Sequence, residues 1–196
     1  MNLSGKNILV FDAEIKNTID GKNVKWTDFD KMGVSVACAF DYRDMRFRVF
    51  MDDNLDQLVN RLNEPKTLIV FFNGVHFDIP LIRATPNKKG VILKPDSELN
   101  YYDMLLVSRE ACNTGKFEKG FKLDDHLKAL NLSTKTGWGG DAPRLYQEGK
   151  LGELIDYAIN DVKVETQLFN HICKHGKLAC LYKSEAYSVR MPVIPE

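Results

Sequence analysis

Residues 7–14 read Asn-Ile-Leu-Val-Phe-Asp-Ala-Glu, which is a short apolar run that ends in two acidic residues. A run as short and as uniformly apolar as Asn7–Phe11 is typical of a strand buried in the middle of a sheet. Because side chains alternate along a strand, Asp12 and Glu14 should point to the same side. The sequence therefore predicts a central strand whose end carries two neighbouring carboxylates.

The rest of the chain predicts an α/β fold. Strands are predicted at Gly33–Phe40, Met45–Met51, Thr67–Phe72 and Tyr101–Tyr102, and helices at Asp53–Leu62, Ile79–Ala84, Met104–Cys112, Lys122–Leu130 and Leu151–Ile172. This order favours a mixed sheet in which a three-strand antiparallel meander is followed by parallel strands. Helices are expected on both faces of that sheet.

The composition indicates one folded domain. The chain has 196 residues, of which 44% are hydrophobic and 28% are charged, so it can bury a sizeable core. We expect a single domain over residues 1–196 with a core at about 7–172. Residues 176–196 are predicted to form a C-terminal tail or a hairpin that pairs Leu178–Tyr182 with Tyr187–Val193.

The charge and the cysteines exclude several classes of protein. The 27 basic and 27 acidic residues give a net charge of zero, whereas a protein that coats nucleic acid by bulk attraction is strongly basic. The four cysteines form no C-x-x-C pair, and the chain contains neither a signal-peptide pattern nor a membrane-spanning segment. These features predict a cytoplasmic protein with reduced thiols and no membrane association.

The motif Asp12-Ala13-Glu14 is weak by itself. Two carboxylates at the end of a buried strand repel each other, so one of them takes up a proton or a cation sits between them. Hard oxygen ligands of this kind suit Mg²⁺ or Mn²⁺. The alternative is a polar strand end that simply runs into solvent.

A second motif follows the strand predicted at Thr67–Phe72. It reads Asn-Gly-Val-His-Phe-Asp over residues 73–78, and Asp78 stands where a helix should begin. Aspartate is a favoured N-cap, which is a sufficient structural explanation of Asp78. However, Gly74 would also allow a ligand to approach the backbone, and Phe77 offers a ring on which a base could stack.

A third motif lies in the helix predicted at Leu151–Ile172. Tyr157 and Asp161 are four residues apart, so they should project from the same face of the helix. The alternative is a buried tyrosine and a surface aspartate, a pair that occurs in many helices.

The three motifs together are much more specific than any one of them. They occur in the order strand end, strand-to-helix turn and late helix, and they supply four acids and a phenol. This combination resembles the DEDDy 3′–5′ exonucleases, the proofreading-exonuclease branch of the RNase H-like superfamily. The resemblance extends from about Asn7 to His171, and residues 122–161 are similar to the small stand-alone members of that branch.

The resemblance implies a reaction and a site. The reaction is hydrolysis of phosphodiester bonds at the free 3′ end of single-stranded nucleic acid, with DNA favoured over RNA. Four acids, Asp12, Glu14, Asp78 and Asp161, would bind two divalent cations, either Mg²⁺ or Mn²⁺. Asp12 would bridge the two ions, Glu14 and Asp161 would complete one site, and Asp78 would support the other. Tyr157 would hold the attacking water.

The resemblance also implies contacts with the substrate. Asn73 and Phe77 would touch the terminal nucleotides. Ile15 occupies the position that would contact the terminal sugar, where many relatives have threonine instead.

Two other functions remain compatible with these residues. The chain could be a structure-selective endonuclease of the same superfamily, or a module that binds nucleic acid without cleaving it. A circular single strand separates the endonuclease from an exonuclease, because a circle has no end.

Three weaker signals either have no clear assignment or are better explained by a structural role than by a functional one. Asp103 could support the site, although a helix cap is the better explanation. Trp138, in the glycine-rich loop 137–140, could stack on a base or anchor that loop. His171 and His175 lack a second pair of ligands that would close a zinc site.

Overall fold

The computed structural model describes residues 2–114, 118–135 and 140–195. Its centre is a five-stranded sheet with the strand order β3-β2-β1-β4-β5. These strands are β1 (Ile8–Ile15), β2 (Val34–Asp41), β3 (Arg46–Phe50), β4 (Leu68–Phe71) and β5 (Asn100–Asp103). The apolar run that opens the chain therefore forms the middle strand, as the sequence predicts.

The sheet is mixed in the predicted way. β1 is antiparallel to β2, and β2 is antiparallel to β3, which gives the meander. β4 is parallel to β1, and β5 is parallel to β4. Because β1, β4 and β5 run in the same direction, the residues that follow these three strands meet at one edge of the sheet. The predicted RNase H-like α/β architecture is confirmed.

Seven α-helices are present among the described residues. They are α1 (Phe29–Met32), α2 (Leu55–Asn63), α3 (Asp78–Ala84), α4 (Met104–Cys112), α5 (Leu123–Ala129), α6 (Asp141–Gln147) and α7 (Leu151–His175). The sequence does not predict α1 or α6, because α1 has only four residues and α6 directly follows two glycines and contains Pro143, signals that favour a loop.

Two hydrophobic cores cover the two faces of the sheet. Ile8 and Val10 of β1 pack with α4, α5, α6 and α7, whereas Leu9 and Phe11 pack with α2 and α3. This alternation follows from the period of two along a strand. Helices on both faces are therefore confirmed, and the face toward which a β1 residue points decides which core it enters.

The C-terminal segment forms a hairpin. β6 (Lys177–Cys180) pairs with β7 (Lys183–Ser188), so the turn lies earlier than the sequence predicts. The polar run that suggested a turn is part of β7, because this strand is largely exposed to solvent. The hairpin is attached to the body by Tyr187, whose hydroxyl lies 2.7 Å from the Ser108 hydroxyl.

Two further predictions from the sequence concern membrane-spanning segments and the state of the cysteines. No helix in the described ranges has both the length and the apolar character of a membrane span. The four cysteines are free thiols.

Candidate metal centre

The carboxylates of β1 point toward α7. The residues before them on the same row, Ile8 and Val10, lie in the core that contains α7, and Asp12 and Glu14 continue that row. A β-bulge between Glu14 and Ile15 ends the regular pairing with β2. The predicted shared orientation of the two acids is confirmed by their geometry.

Asp161 completes a group of three acids. One carboxylate oxygen each from Asp12, Glu14 and Asp161 lies within 4.8 Å of the others, and no other such group of potential metal ligands occurs in the described part of the chain. Asp161 is fully buried, and Glu14 is only 8% exposed. Burial and the Asp12 carboxylate raise the pKa of Asp161 to about 6. The same two causes raise the pKa of Glu14 well above its ordinary value.

Asp78 lies beside this triad and is attached to β1. Its Oδ1 accepts a hydrogen bond of 2.9 Å from the backbone N–H of Ala13, the residue between Asp12 and Glu14. Burial and the nearby Asp12 raise the pKa of Asp78. The N-cap of α3 is Phe77 rather than Asp78, which is the first residue of the helix and whose carboxylate is bonded to β1.

The turn that carries Asp78 is held by Asp103. Oδ1 of Asp103 accepts a 2.9 Å hydrogen bond from the backbone of Asn73, and Oδ2 accepts one of 3.2 Å from Val75. The same carboxylate caps α4 through the N–H groups of Leu105 and Leu106. Asp103 is therefore a helix cap that also fixes the β4–α3 turn.

Two residues of this turn have structural roles that the sequence did not reveal. Asn73 has a φ of 71°, a left-handed conformation that asparagine tolerates better than most residues. Gly74 is required by packing, because a Cβ at this position would lie 2.3 Å from the ring of Phe71. The space beside Gly74 is thus filled by an aromatic ring, and no room is left there for a ligand.

Tyr157 lies one helical turn before Asp161, and the two side chains share a face as predicted. Its hydroxyl is buried beside Asp161, and its side-chain hydrogen bond with that carboxylate lowers the pKa of the acid. Burial and the charges of Glu14 and Asp161 raise the pKa of Tyr157 above that of an ordinary tyrosine. The phenol therefore stays protonated at neutral pH and can still form a hydrogen bond.

The sequence analysis missed a lysine in this cluster. Nζ of Lys135 lies 2.6 Å from Oδ2 of Asp161. Burial opposes the charge of Lys135, but Asp12 and Asp161 raise its pKa above the ordinary value. Lys135 belongs to the segment between α5 and α6, where no periodic pattern could indicate its position.

A fifth carboxylate was also missed. Glu165 is 2% exposed, and its Oε2 has no hydrogen-bond partner among the described residues. Burial and Asp12 raise its pKa. The spacing Tyr157, Asp161 and Glu165 repeats every four residues, so the sequence did contain a signal that this acid faces the site.

The residues expected to contact substrate lie in different places. Phe77 and Asn73 are half-buried in the turn before α3. Ile15 is 8% exposed and packs in the core with α2 and α3, on the face opposite to Asp12 and Glu14. Trp138 lies outside the described residues.

The donor set fits a hard divalent cation. Asp12, Glu14 and Asp161 offer carboxylate oxygens, and buried Oδ1 of Asp161 has no partner among the described residues. A buried oxygen without a partner costs free energy unless a proton or cation satisfies it. Lys135 offsets only part of the negative charge. The remaining carboxylates can therefore hold a divalent cation.

Comparison with known proteins supports the fold. No family model matches the sequence, and no curated protein matches it significantly. The zinc-bound form of the E. coli ExoI–ssDNA complex matches with a TM-score of 0.52 at 14% identity, over 85% of this chain and 40% of the ExoI chain. The apo form of a nuclease matches with a TM-score of 0.53 at 18% identity, over 86% of this chain and 74% of the other. The chain thus spans less than half of the length of ExoI.

Repulsion between the buried acids predicts how metal-free stability depends on pH. Groups whose folded pKa is raised stabilise the fold at low pH, and this contribution is lost as the pH rises through the folded pKa, which is about 6 for Asp161 and is raised well above the ordinary value for Glu14 and Asp78. In EDTA, Asp12→Asn should therefore be more stable than wild type at pH 8 by about 1–3 kcal/mol, with a smaller gain at pH 5. Mn²⁺ should stabilise wild type but not Asp12→Asn. Thermal unfolding followed by circular dichroism measures both effects.

The matched control is Asp156→Asn, which removes an exposed charge from the same helix as Asp161. It should leave both the pH dependence and the response to Mn²⁺ unchanged. A wild-type protein more stable than Asp12→Asn in EDTA at pH 8 would contradict a repulsive cluster.

The lysine in the cluster predicts a competition between cations. Lys135 occupies Asp161 Oδ2, so a bound metal must share that carboxylate with a positive neighbour. Lys135→Met should destabilise the metal-free protein at pH 8 and should tighten Mn²⁺ binding about three- to tenfold. Isothermal titration calorimetry with Mn²⁺ provides the measurement. Lys128→Met, at an exposed position on α5, is the control; equal or weaker Mn²⁺ affinity in Lys135→Met would disprove the competition.

Proposed function

We propose that this protein is a metal-dependent 3′→5′ exonuclease that degrades single-stranded DNA. The observation that carries this proposal is the group of carboxylate oxygens from the half-buried Asp12 and the buried Glu14 and Asp161, with Asp78 bonded to the same strand. The fold that the chain shares with ExoI and with another nuclease supports a nuclease. In this proposal residues 1–196 act as one exonuclease domain in the cytoplasm.

The four acids have one task in this reaction. Asp12, Glu14, Asp78 and Asp161 would hold two divalent cations, Mg²⁺ or Mn²⁺, beside the phosphate to be cleaved. Such cations supply Lewis acidity, which stabilises charge on the phosphate and makes water acidic enough to react at neutral pH. The buried position of Glu14 and Asp161 keeps bulk water away from these charges and strengthens their interactions.

Tyr157 would orient the attacking water. Its raised pKa excludes it as a base at neutral pH, and its hydroxyl is buried at the acid cluster beside Asp161. A protonated phenol can donate one hydrogen bond and accept another. The water would thus be held in line with the phosphorus, and its proton would pass to solvent.

The substrate end would lie along the turn before α3. Phe77 is half-buried and directly precedes Asp78, so a terminal base that contacts its ring would place the adjacent phosphate near the acids. Asn73 lies in the same turn. Only the backbone of Ile15 would contact the substrate, because its side chain packs into the core on the face of the sheet opposite to the acids.

The defining experiment follows a 5′-labelled single strand with Mn²⁺. We expect a ladder that shortens from the 3′ end, because a nuclease that acts from this end leaves the 5′ label on every shortened strand. EDTA or Asp12→Ala should abolish the ladder. Parallel DNA and RNA strands of one sequence should show faster cleavage of the DNA.

A circular single strand of the same composition separates the alternatives. An exonuclease leaves the circle intact, whereas cleavage of the circle would identify a structure-selective endonuclease. Binding of the linear strand without any Mn²⁺-dependent cleavage would identify a non-catalytic binding module.

The proposed role of Tyr157 gives a further prediction. Tyr157→Phe removes only the hydroxyl, so Mn²⁺ affinity should be retained while kcat falls about 100-fold, the scale typical of losing one oriented hydrogen bond in an active site. Single-turnover cleavage and calorimetry measure the two quantities. Wild-type turnover in this variant would remove Tyr157 from the mechanism.

A further inference from the structure

An aromatic group adjoins the turn that carries Asp78. The rings of Trp26 and Phe77 are 6.2 Å apart between centroids, and those of Phe29 and Phe77 are 6.1 Å apart, both in edge-on geometry. We call Trp26, Phe29 and Phe77 the aromatic rim. It joins the segment between β1 and α1 to the turn that precedes α3.

Trp26 is unusually open to solvent for its size. It is 70% exposed, whereas Phe29 and Phe77 are half-buried beneath it. Exposing a large aromatic ring sacrifices hydrophobic stabilisation, and such residues on a protein surface commonly serve in binding. Ile92 and Val193 are also very exposed, but neither makes a ring contact beside the acids.

The segment that carries Trp26 is well ordered by its own hydrogen bonds. The carboxylate of Asp20 accepts hydrogen bonds from the backbones of Lys22, Asn23 and Val24, at 2.9, 2.7 and 3.0 Å. Asn17 donates a 2.6 Å side-chain bond to the backbone oxygen of Lys31. The Asp20 bonds therefore order the loop internally, and the Asn17 bond joins the start of the loop to α1.

The rim is connected directly to the acid cluster. Phe77 is followed by Asp78, whose carboxylate is bonded to β1 between Asp12 and Glu14. A strand whose cleavable phosphate lies at these acids would have its neighbouring bases within reach of the rim. Lys22 and Lys25, both exposed, precede Trp26 in the same segment and can attract the phosphates of such a strand.

We propose that the aromatic rim is a stacking platform for nucleobases, with Trp26 as its outer ring. The ligand is a single strand, because a base can stack on Trp26 only when its face is not already covered by a paired neighbour in a duplex. This inference rests on the proposed function, of which it defines the substrate as unpaired bases near the 3′ end. Stacking tolerates every base, so the platform accepts any sequence.

Fluorescence tests the platform without any turnover. The chain has two tryptophans, so Trp138→Phe leaves Trp26 as the sole reporter, and Asp12→Ala in the same chain prevents cleavage. Titration with a 12-nucleotide single-stranded DNA in Ca²⁺ should quench Trp26. A strand with abasic sites at its last three 3′ positions should bind several-fold more weakly and quench little. Equal affinity and equal quenching by both strands would overturn the platform.

Steady-state kinetics on the active chain give an independent result. Trp26→Leu should raise KM for single-stranded DNA about five- to 100-fold, with a smaller effect on kcat, because the ring contributes to binding rather than to chemistry. Trp26→Phe should restore most of the affinity, since it keeps an aromatic face. Ile92→Ala, at an 82% exposed apolar position outside the rim, is the matched control and should match wild type.

The two hypotheses fail in different ways. A ladder produced equally well by wild type and Trp26→Leu would refute the platform and leave the exonuclease intact. Absence of a ladder with wild type would refute the exonuclease, while the fluorescence titration would still decide whether Trp26 contacts unpaired bases.

Discussion

Negative charge confined to a buried space is the constraint that organises this protein. Five carboxylates and one ammonium interact around the end of β1, and the residues concerned are Asp12, Glu14, Asp78, Asp161, Glu165 and Lys135. Left alone, such acids would separate or take up protons. They stay together because each is attached to an element fixed by its own hydrophobic packing, so the cores provide the free energy that opposes the repulsion. A divalent cation relieves the same repulsion, which makes metal affinity a property of the whole fold.

The sheet topology brings the acids together. β1, β4 and β5 run in parallel, and each delivers a carboxylate at the same edge: Asp12 within β1, Asp78 after β4 and Asp103 at the end of β5. Asp103 does not face a cation; it binds the backbone of the turn that carries Asp78. The end of β5 therefore supports the turn that follows β4, and the long helix α7 lies on the other side of the site.

Local periodicity explains which parts of this arrangement the sequence could predict. The shared face of Asp12 and Glu14 follows from strand alternation, and that of Tyr157 and Asp161 follows from helical spacing. The resemblance to a family supplied the meeting of these distant motifs, which no local rule contains. Lys135 could not be predicted, because an irregular segment has no period that indicates direction. From the sequence, Gly74 could allow a ligand to approach the backbone, but the ring of Phe71 lies where a side chain at this position would be. The sequence could not predict this, because it does not show what fills the space around a glycine.

The position of α7 has a consequence for how the protein is made. β1 is synthesised before α7, and Asp161 leaves the ribosome 149 residues after Asp12. Until then Asp12 and Glu14 lack the carboxylate of Asp161, and a chain that is cut short before α7 does not contain the full group of three acids. The group of three acids thus forms in one late event of synthesis, and unfinished or truncated copies lack it.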